Sequence, residues 1–455
     1  MNASADVMAD PGYRRDLGKG LRLRWSRAED APRIVETCTH VFRRTAEEKP
    51  NHRMGAWLFD LLSGRHPLMG PGDYAVVEDT ATGAIVSGTC LISYVIELEG
   101  TRLPFGRPEV VFTHPDYRDR GLVRALFEMV HARSEARGHL VQGITGIPFY
   151  YRLFGYEYAA DLGGELSVYF AAIPPLKPGE TEKFHVRAAV ETDVPVLKRL
   201  YDLDRARYAL TTPMDEPYLR WVAFGQEPQA AEGWVSRLIV DAGGAVVGYI
   251  RTSPRRESDE ITVLALGTLP PTSLAEVLPS VLRALQCAAG EPVPNRDGQP
   301  APSRVRLHLW PDHPAYGLLK EEQVARKSRP YAWYLRVPDL KAFLSAVTPV
   351  LERRLAGSAV AGYTGELRLS FYPRGMRLTF SAGRMTGIED WREDHAWGPR
   401  AQASIPPLVF LKLLFGHRSL AELRDAFPDV MANDEARPIL EALFPRRSTW
   451  LLPLD

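Results

Sequence analysis

One junction constrains the fold of this chain more than any other. Val110 to Thr113 is a short apolar run that reads as a buried strand, and His114-Pro115 ends it because proline removes a ladder donor. From Leu122 onward the apolar residues Val123, Leu126, Phe127 and Val130 fall at i, i+3, i+4 and i+7, one face of a helix that Gly138 stops. A strand thus runs through a short polar loop into a helix N-terminus, whose exposed N–H groups and positive dipole end favour an anion. Arg118, Arg120 and Arg124 add charge there, and Gly121 lets a ligand approach the backbone closely. A pyrophosphate fits such a site. An Arg-x-x-Gly loop alone is equally a structural turn.

Composition narrows the class. Lys+Arg and Asp+Glu are both 56, so the net charge is zero with histidine neutral, which argues against a general nucleic-acid binder. Hydrophobic residues at 45% and charged residues at 25% describe an ordinary globular chain and exclude a disordered one. The 455 residues leave room for about three domains. Cys38, Cys90 and Cys287 are few, odd in number and far apart. They give neither a disulfide framework nor a Cys-x-x-Cys metal site, so a reducing cytoplasm and no metal are expected. The N-terminus lacks the apolar core of a secretory signal, and no run of 18 apolar residues occurs. No membrane span is expected, and residues 1–20 read as a loose arm.

The chain divides into three segments. The first opens with a strand at Leu21–Trp25, a helix from Asp30-Pro32, a helix-rich stretch to Leu62 and strands at Asp73–Glu78 and Ala84–Leu98. After the junction come a strand at His139–Ile144 and an aromatic turn at Phe149–Tyr158. The second segment repeats this opening with a strand at Phe184–Ala189 and Glu191-Thr192-Asp193 leading into a helix. Strands at 238–241, 246–252, 260–266 and 305–309, with a helix at 273–289, continue the echo, so an internal duplication is expected. No arginine–glycine loop comes after the strand at 261–266, so the second copy is not expected to hold a phosphate. Residues 290–303 read as a solvated Pro-rich loop. The third segment carries a helix at 340–355, a hairpin at 366–383 across Pro373-Arg374-Gly375, a helix at 406–415, the capping box Ser419–Glu422 and a final helix at 434–443. Its tail, 448–455, is apolar enough to dock.

Two elements in order sharpen the reading. His114-Pro115-x-Tyr117-Arg118-x-x-Gly121-x-Val123 resembles the acetyl-CoA loop of the GNAT N-acetyltransferase superfamily, with Val123 where Gly or Ala is usual. Phe149-Tyr150-Tyr151-Arg152-Leu153-Phe154-Gly155-Tyr156 resembles the Tyr-x-x-x-Gly-Phe element of the same superfamily. Pro406-Pro407-Leu408 through Leu420, with Leu440-x-x-Leu443-Phe444-Pro445 after it, resembles the sterol-carrier-type domain of the enhanced intracellular survival acetyltransferases. The resemblance implies an α+β chain. Residues 21–182 would be an acetyl-CoA-binding GNAT domain, 183–337 a second, degenerate GNAT-like domain, and 338–455 a sterol-carrier-type α/β domain.

The same resemblance implies roles. Val111, Phe112 and Thr113 lie along the pantetheine arm; Arg118, Asp119, Arg120, Gly121, Leu122, Val123 and Arg124 form the pyrophosphate loop. Tyr151, four residues before Gly155, is the acid towards the departing thiolate. The chain's terminal carboxylate is the base; members usually end on an aromatic residue, whereas Asp455 here carries two carboxylates. Glu109, just before the strand, is the alternative base. The acceptor would be a cationic amine (an aminoglycoside, a polyamine or a lysine), and the assembly a hexamer. The chemistry agrees: a protonated amine must lose a proton before attacking a thioester, and backbone N–H groups can hold the oxyanion. No acyl-enzyme is required, so Cys38 and Cys90 are read as core. Glu47-Glu48 could line a cationic entrance or be a solvated face. His114 reads as a loop residue. The rival reading is a lipid- or ligand-binding protein that uses the sterol-carrier-type domain beside a relic acetyltransferase fold. A relic would be expected to lose the loop's glycine or arginines, and this chain keeps both.

Overall fold

The computed structural model describes residues 3–43, 45, 47–254, 259–290, 301–328, 331–393 and 400–451. Residues 291–300 of the Pro-rich loop and the terminal Asp455 lie outside them. The architecture is mixed α+β, built on a ten-stranded, a seven-stranded and a five-stranded sheet among the described residues. No helix there is long and apolar enough to cross a membrane.

The first sheet is a meander. Leu21–Trp25 pairs antiparallel with Tyr74–Asp79, that strand with Ile85–Leu98, and that in turn with Thr101–Thr113. The last strand begins nine residues before its expected start at Val110, with Pro104 and Pro108 inside it. It then pairs in parallel with Val141–Ile144, but only at Phe105–Val141 and Gly106–Gln142. The helix Leu122–Ala136 crosses over between them and packs Leu122, Leu126, Met129 and Val130 on one face of the sheet. The opposite face meets the helices Ala31–Val41 and His52–Leu62 and elements of the second and third segments.

Residues 3–20 are not a loose arm. Ala3–Ala9 is helical, and Arg14–Gly18 adds an antiparallel strand to Leu21–Trp25. The Trp25 indole donates to the Met8 carbonyl at 2.9 Å, and Arg133 donates to that of Ala9 at 3.1 Å. Polarity hid this element, because it is held by side chains far away in sequence.

The second sheet repeats the first in detail. Its strands Phe184–Ala188, Val235–Asp241, Val246–Thr252 and Glu260–Thr268 pair antiparallel in turn, and the last pairs in parallel with Arg304–Leu307. The opening turn is repeated atom for atom. Arg24 grips Asp30 with two nitrogens at 2.6 and 2.9 Å while Asp30 accepts from the Arg27 N–H. Arg187 grips Asp193 at 2.7 and 2.9 Å while Asp193 accepts from the Val190 N–H.

Sheet pairing crosses the boundaries expected near 182 and 337, because the first two segments exchange a strand. Glu165–Tyr169, next in the chain after the first unit's strand Glu157–Leu162, lies in the second sheet between Arg304–Leu307 and Val324–Ser328. Tyr331–Arg336, next after Val324–Ser328, lies in the first sheet between Val141–Ile144 and Glu157–Leu162. Each unit therefore finishes the other's sheet. Leu210–Thr211 also pairs with the end of the Ile85–Leu98 strand, and Thr449–Trp450 pairs with Leu210–Thr211, so the tail joins the first sheet at these two residues.

The third segment carries the strands Gly365–Ser370, Gly375–Ser381 and Arg384–Trp391 against the helix Leu340–Ala356, with the helices Pro407–Leu414, Leu420–Ala426 and Ala436–Leu443 after them. Ser419 and Glu422 form the capping box expected from sequence.

A chain truncated after residue 182 leaves the Val141–Ile144 strand without its Tyr331–Arg336 partner and frees Glu165–Tyr169. Such an open edge is an aggregation site. The fragment is expected to be insoluble or molten, by gel filtration and near-UV circular dichroism, while the full chain melts in one transition.

Candidate active site

The strand Thr101–Thr113 builds the site. Two of its residues, Val110 and Val111, oppose the single Thr89 on the neighbouring strand, and Val110 has φ +47°. This is a β-bulge, which bends the strand and re-aims the residues beyond it. Beyond Gly106 the parallel partner has gone, so the sheet forks. The His114 N–H donates back to Val86 at 2.8 Å. By the alternation of an antiparallel strand, the N–H groups of Val111 and Thr113 face the other way, into the fork.

The fork opens into a groove of about 540 Å³. Its walls are Val111, Phe112 and Thr113, the loop Tyr117–Arg124, and, opposite, Ile147, Tyr150, Leu153 and Phe154. Every residue expected from sequence for the pantetheine arm and the pyrophosphate loop lines it. Gly121, at φ +72°, is the helix N-cap and supplies no side-chain cap, so the first N–H groups of Leu122–Ala136 are left for a ligand. Arg118 is exposed, and its guanidinium has no hydrogen bond or ion pair among the described residues. Arg120 is steadied by the Asp116 carbonyl at 2.8 Å and the Tyr117 ring at 4.9 Å, and Arg124 lies 5.7 Å from the Phe154 ring. Sequence reasoning missed Val41 and Phe42, which reach the groove from the end of the helix Ala31–Val41. Nothing in the local sequence marks them.

Tyr151 does not line the groove. It is 4% exposed and stands behind the wall, its ring against Phe127 at 5.8 Å and Tyr334 at 5.5 Å. Its hydroxyl faces Gly146, next to the groove residue Ile147, and has no hydrogen-bond partner among the described residues. Burial, reinforced by the Glu109 charge and the surrounding tyrosines, pushes its pKa well above the ordinary tyrosine range. The group is therefore held as the neutral, proton-bearing form.

Glu109 sits just before the bulge, and both of its oxygens are engaged. Oε2 accepts from Arg107 Nε at 2.9 Å and Nη2 at 2.5 Å, and Oε1 accepts from the Val110 N–H at 3.1 Å. Arg107, which sequence reasoning did not single out, is 2% exposed and lies 5.2 Å from the Trp333 ring. Its signal was present: Leu103, Phe105 and Arg107 alternate inward, and a charge on a buried apolar face is abnormal. Glu47 and Glu48 are exposed, and the His114 ring packs edge-on against Tyr117 at 5.9 Å.

A forked sheet with an uncapped helix N-terminus and freed N–H groups along one prong is the framework of an acyl-transfer enzyme. Residues 22–159 match the family model of the acetyltransferase (GNAT) domain, and the protein is an acyltransferase enzyme. No curated protein matches the chain in sequence. In three dimensions it resembles a probable N-acyltransferase from Enterococcus faecalis V583, at TM-score 0.67 and 13% identity, over 96% of this chain and 99% of that one. A GCN5-related N-acetyltransferase from Kribbella flavida matches at 0.64 and 18% identity over 100% of both chains. Eis1 from Mycobacterium abscessus matches at 0.57 and 15% identity over 93% and 97%. At these identities the likeness is one of fold, and it spans all three segments.

Replacing Arg118 by Ala is expected to weaken CoA binding roughly tenfold, the loss of one charge-assisted contact at an exposed site. The melting temperature should not change. Isothermal titration with CoA beside a thermal melt checks both.

Proposed function

We propose that the protein is an acetyl-CoA-dependent N-acetyltransferase that passes acetyl directly to an amine. The observation that carries this reading is the continuity of the groove. It joins an uncapped helix N-terminus, suited to a pyrophosphate, to a strand with two inward N–H groups, and ends at a bulge flanked by a carboxylate and a neutral tyrosine. In this reading the loop Arg118–Arg124 holds the pyrophosphate, and Val111–Thr113 pairs with the pantetheine arm. A bulge N–H holds the oxyanion of the tetrahedral intermediate. In the same reading Tyr151 gives its proton to the leaving thiolate, a role for which it arrives un-ionised. No acyl-enzyme is invoked.

For the base, the terminal carboxylate of Asp455 is the better candidate. Glu109 already accepts three hydrogen bonds, two of them from a guanidinium, so neither of its oxygens is open to an amine. The second unit, a degenerate copy on this reading, and the third, read as sterol-carrier-type, close the acceptor side and bring the tail in. The proposed acceptor is a cationic amine such as an aminoglycoside, a polyamine or a lysine, and the proposed assembly a hexamer. A cytoplasmic setting belongs to the same proposal, with its three cysteines unbridged.

Free-thiol release from acetyl-CoA against a panel of such amines tests the reading. Tyr151→Phe and a chain lacking Asp455 are each expected to lower kcat by about 100-fold or more, the usual worth of a positioned proton donor or acceptor. Because the Tyr151 pKa is raised, its proton stays on as pH rises, and turnover should show no alkaline fall from that group up to about pH 10. Turnover independent of amine, or undiminished in both variants, overturns the assignment.

A further inference from the structure

A second cavity, of about 300 Å³, shares no lining residue with the groove. It lies where the third segment meets the first. Three stretches from distant parts of the chain close it. They are residues 336–340, where the strand Tyr331–Arg336 runs into the helix Leu340–Ala356, the hairpin turn at 371–374, and the first turn of the helix Pro407–Leu414. Gly155 completes the wall. Leu153 and Phe154, just before it in the chain, belong to the groove.

The lining is divided by chemistry. Its apolar part is rigid: Phe371 and Phe410 are 3% and 1% exposed, with ring centroids 4.9 Å apart, and Pro338 and Pro407 add two fixed rings. Its charged part is Arg336 and Arg374, and no acidic residue lines the cavity. Arg336 uses Nη1 on Gln142 at 2.7 Å and on Glu135 at 3.2 Å. Its Nε and Nη2 have no hydrogen-bond partner among the described residues, and Nε stands beside Gly155. The Arg374 guanidinium is exposed and has neither hydrogen bond nor ion pair among the described residues. Its carbonyl accepts from the Phe371 N–H at 2.7 Å, which fixes the turn that carries it. A joint closed by packing alone would bury apolar side chains and pair its charges with carboxylates. Here free guanidinium donors and buried rings share one space.

We propose that this cavity is a second ligand site, and that it takes a small aromatic carboxylate. The ring of the ligand packs on Phe371 and Phe410, and its carboxylate bridges Arg336 and Arg374. About 300 Å³ is the lower end of small-molecule sites, which suits a compact flat body better than a long flexible chain. Phenylalanine rings receive such a body edge-on or offset. A planar guanidinium matches a carboxylate through parallel N–H bonds, and two of them offset its charge fully. Arg336 also joins the site to the first sheet, because its partner Gln142 lies on Val141–Ile144, the prong opposite the bulge. The site stands whether or not the groove performs acetyl transfer.

The probe is 2-naphthoate, titrated into the full-length protein by ligand-observed NMR with CoA at saturation, so that the groove is filled. It should bind with a Kd below about 1 mM, the range open to a ligand of this size. The neutral 2-naphthamide should bind at least tenfold more weakly, and decanoate no more tightly than 2-naphthoate. Arg374→Ala should weaken 2-naphthoate about tenfold, the loss of one charge-assisted contact. Leu408→Trp, which fills the cavity from the helix, should abolish binding. Both substitutions lie in the third segment, and an unchanged melting temperature and CoA affinity report that the variants fold. Arg374 is exposed, so its variant keeps the test valid if Leu408→Trp destabilises the helix. No binding of 2-naphthoate by about 10 mM overturns the proposal. So does equal affinity in wild type and Arg374→Ala, which marks adventitious binding elsewhere. Equal affinity for the amide removes the anion from the assignment, and tighter binding of decanoate removes the aromatic body; either result overturns the ligand class.

Discussion

The site depends on a parallel pairing that is only two residues long. Phe105 and Gly106 meet Val141 and Gln142, and above that point the prongs separate. Two glycines hold the closed end tight. A Cβ at Gly106 would overlap Ser134 and His139, and one at Gly143 would overlap Phe105. Just above, the bulge at Val110 pulls the strand away, and the Tyr74 hydroxyl secures that bent carbonyl at 2.6 Å. A closed lower end and an open upper one turn a continuous sheet into a groove lined by unspent backbone donors.

Keeping that fork open requires the opposite prong to be supported from elsewhere. Val141–Ile144 is short and takes its far-side partner, Tyr331–Arg336, from the second unit. The third segment then grips the next strand. Lys412 donates to Glu157 at 2.9 Å and to the Tyr158 carbonyl at 3.1 Å, and His417 bonds the same carbonyl at 3.2 Å. Burial keeps the His417 pKa far below its ordinary value, at about 3, so this contact is made by a neutral ring throughout the physiological range. All three segments thus hold the wall behind Tyr151, which gives a physical reason for a groove in the first unit to be carried on so long a chain.

Two buried arginines show how the interior handles charge. Arg107 is paired with Glu109 and lies over Trp333. Arg251, in the second sheet, is 1% exposed and its guanidinium has no hydrogen-bond partner among the described residues; Trp234, Tyr201 and Tyr249 surround it at 4.7, 5.3 and 5.7 Å. Cation–π contacts stand in there for an ion pair. The two sheets therefore carry a carboxylate-paired guanidinium in the first and an aromatic-packed one in the second.

Residue order alone was enough for the local elements and for the arginine-bearing loop that lines the groove. The helix Leu122–Ala136, its glycine N-cap and the loop arginines are neighbours in the chain, so period and residue type found them. The repeated opening turn was legible for the same reason, since Arg24–Asp30 and Arg187–Asp193 are each six residues apart. The strand exchange had to wait for the folded chain, because Glu165–Tyr169 and Tyr331–Arg336 look like ordinary strands of either segment and pairing between residues so far apart leaves no local mark. Folding also put Tyr151 behind the groove wall, packed on rings from elsewhere in the sheet. It brought Arg107 and Leu451, more than 300 residues apart in the chain, to the lining of one crevice. Backbone propensities act over a few residues; a buried charge is placed by whichever distant segments fold around it.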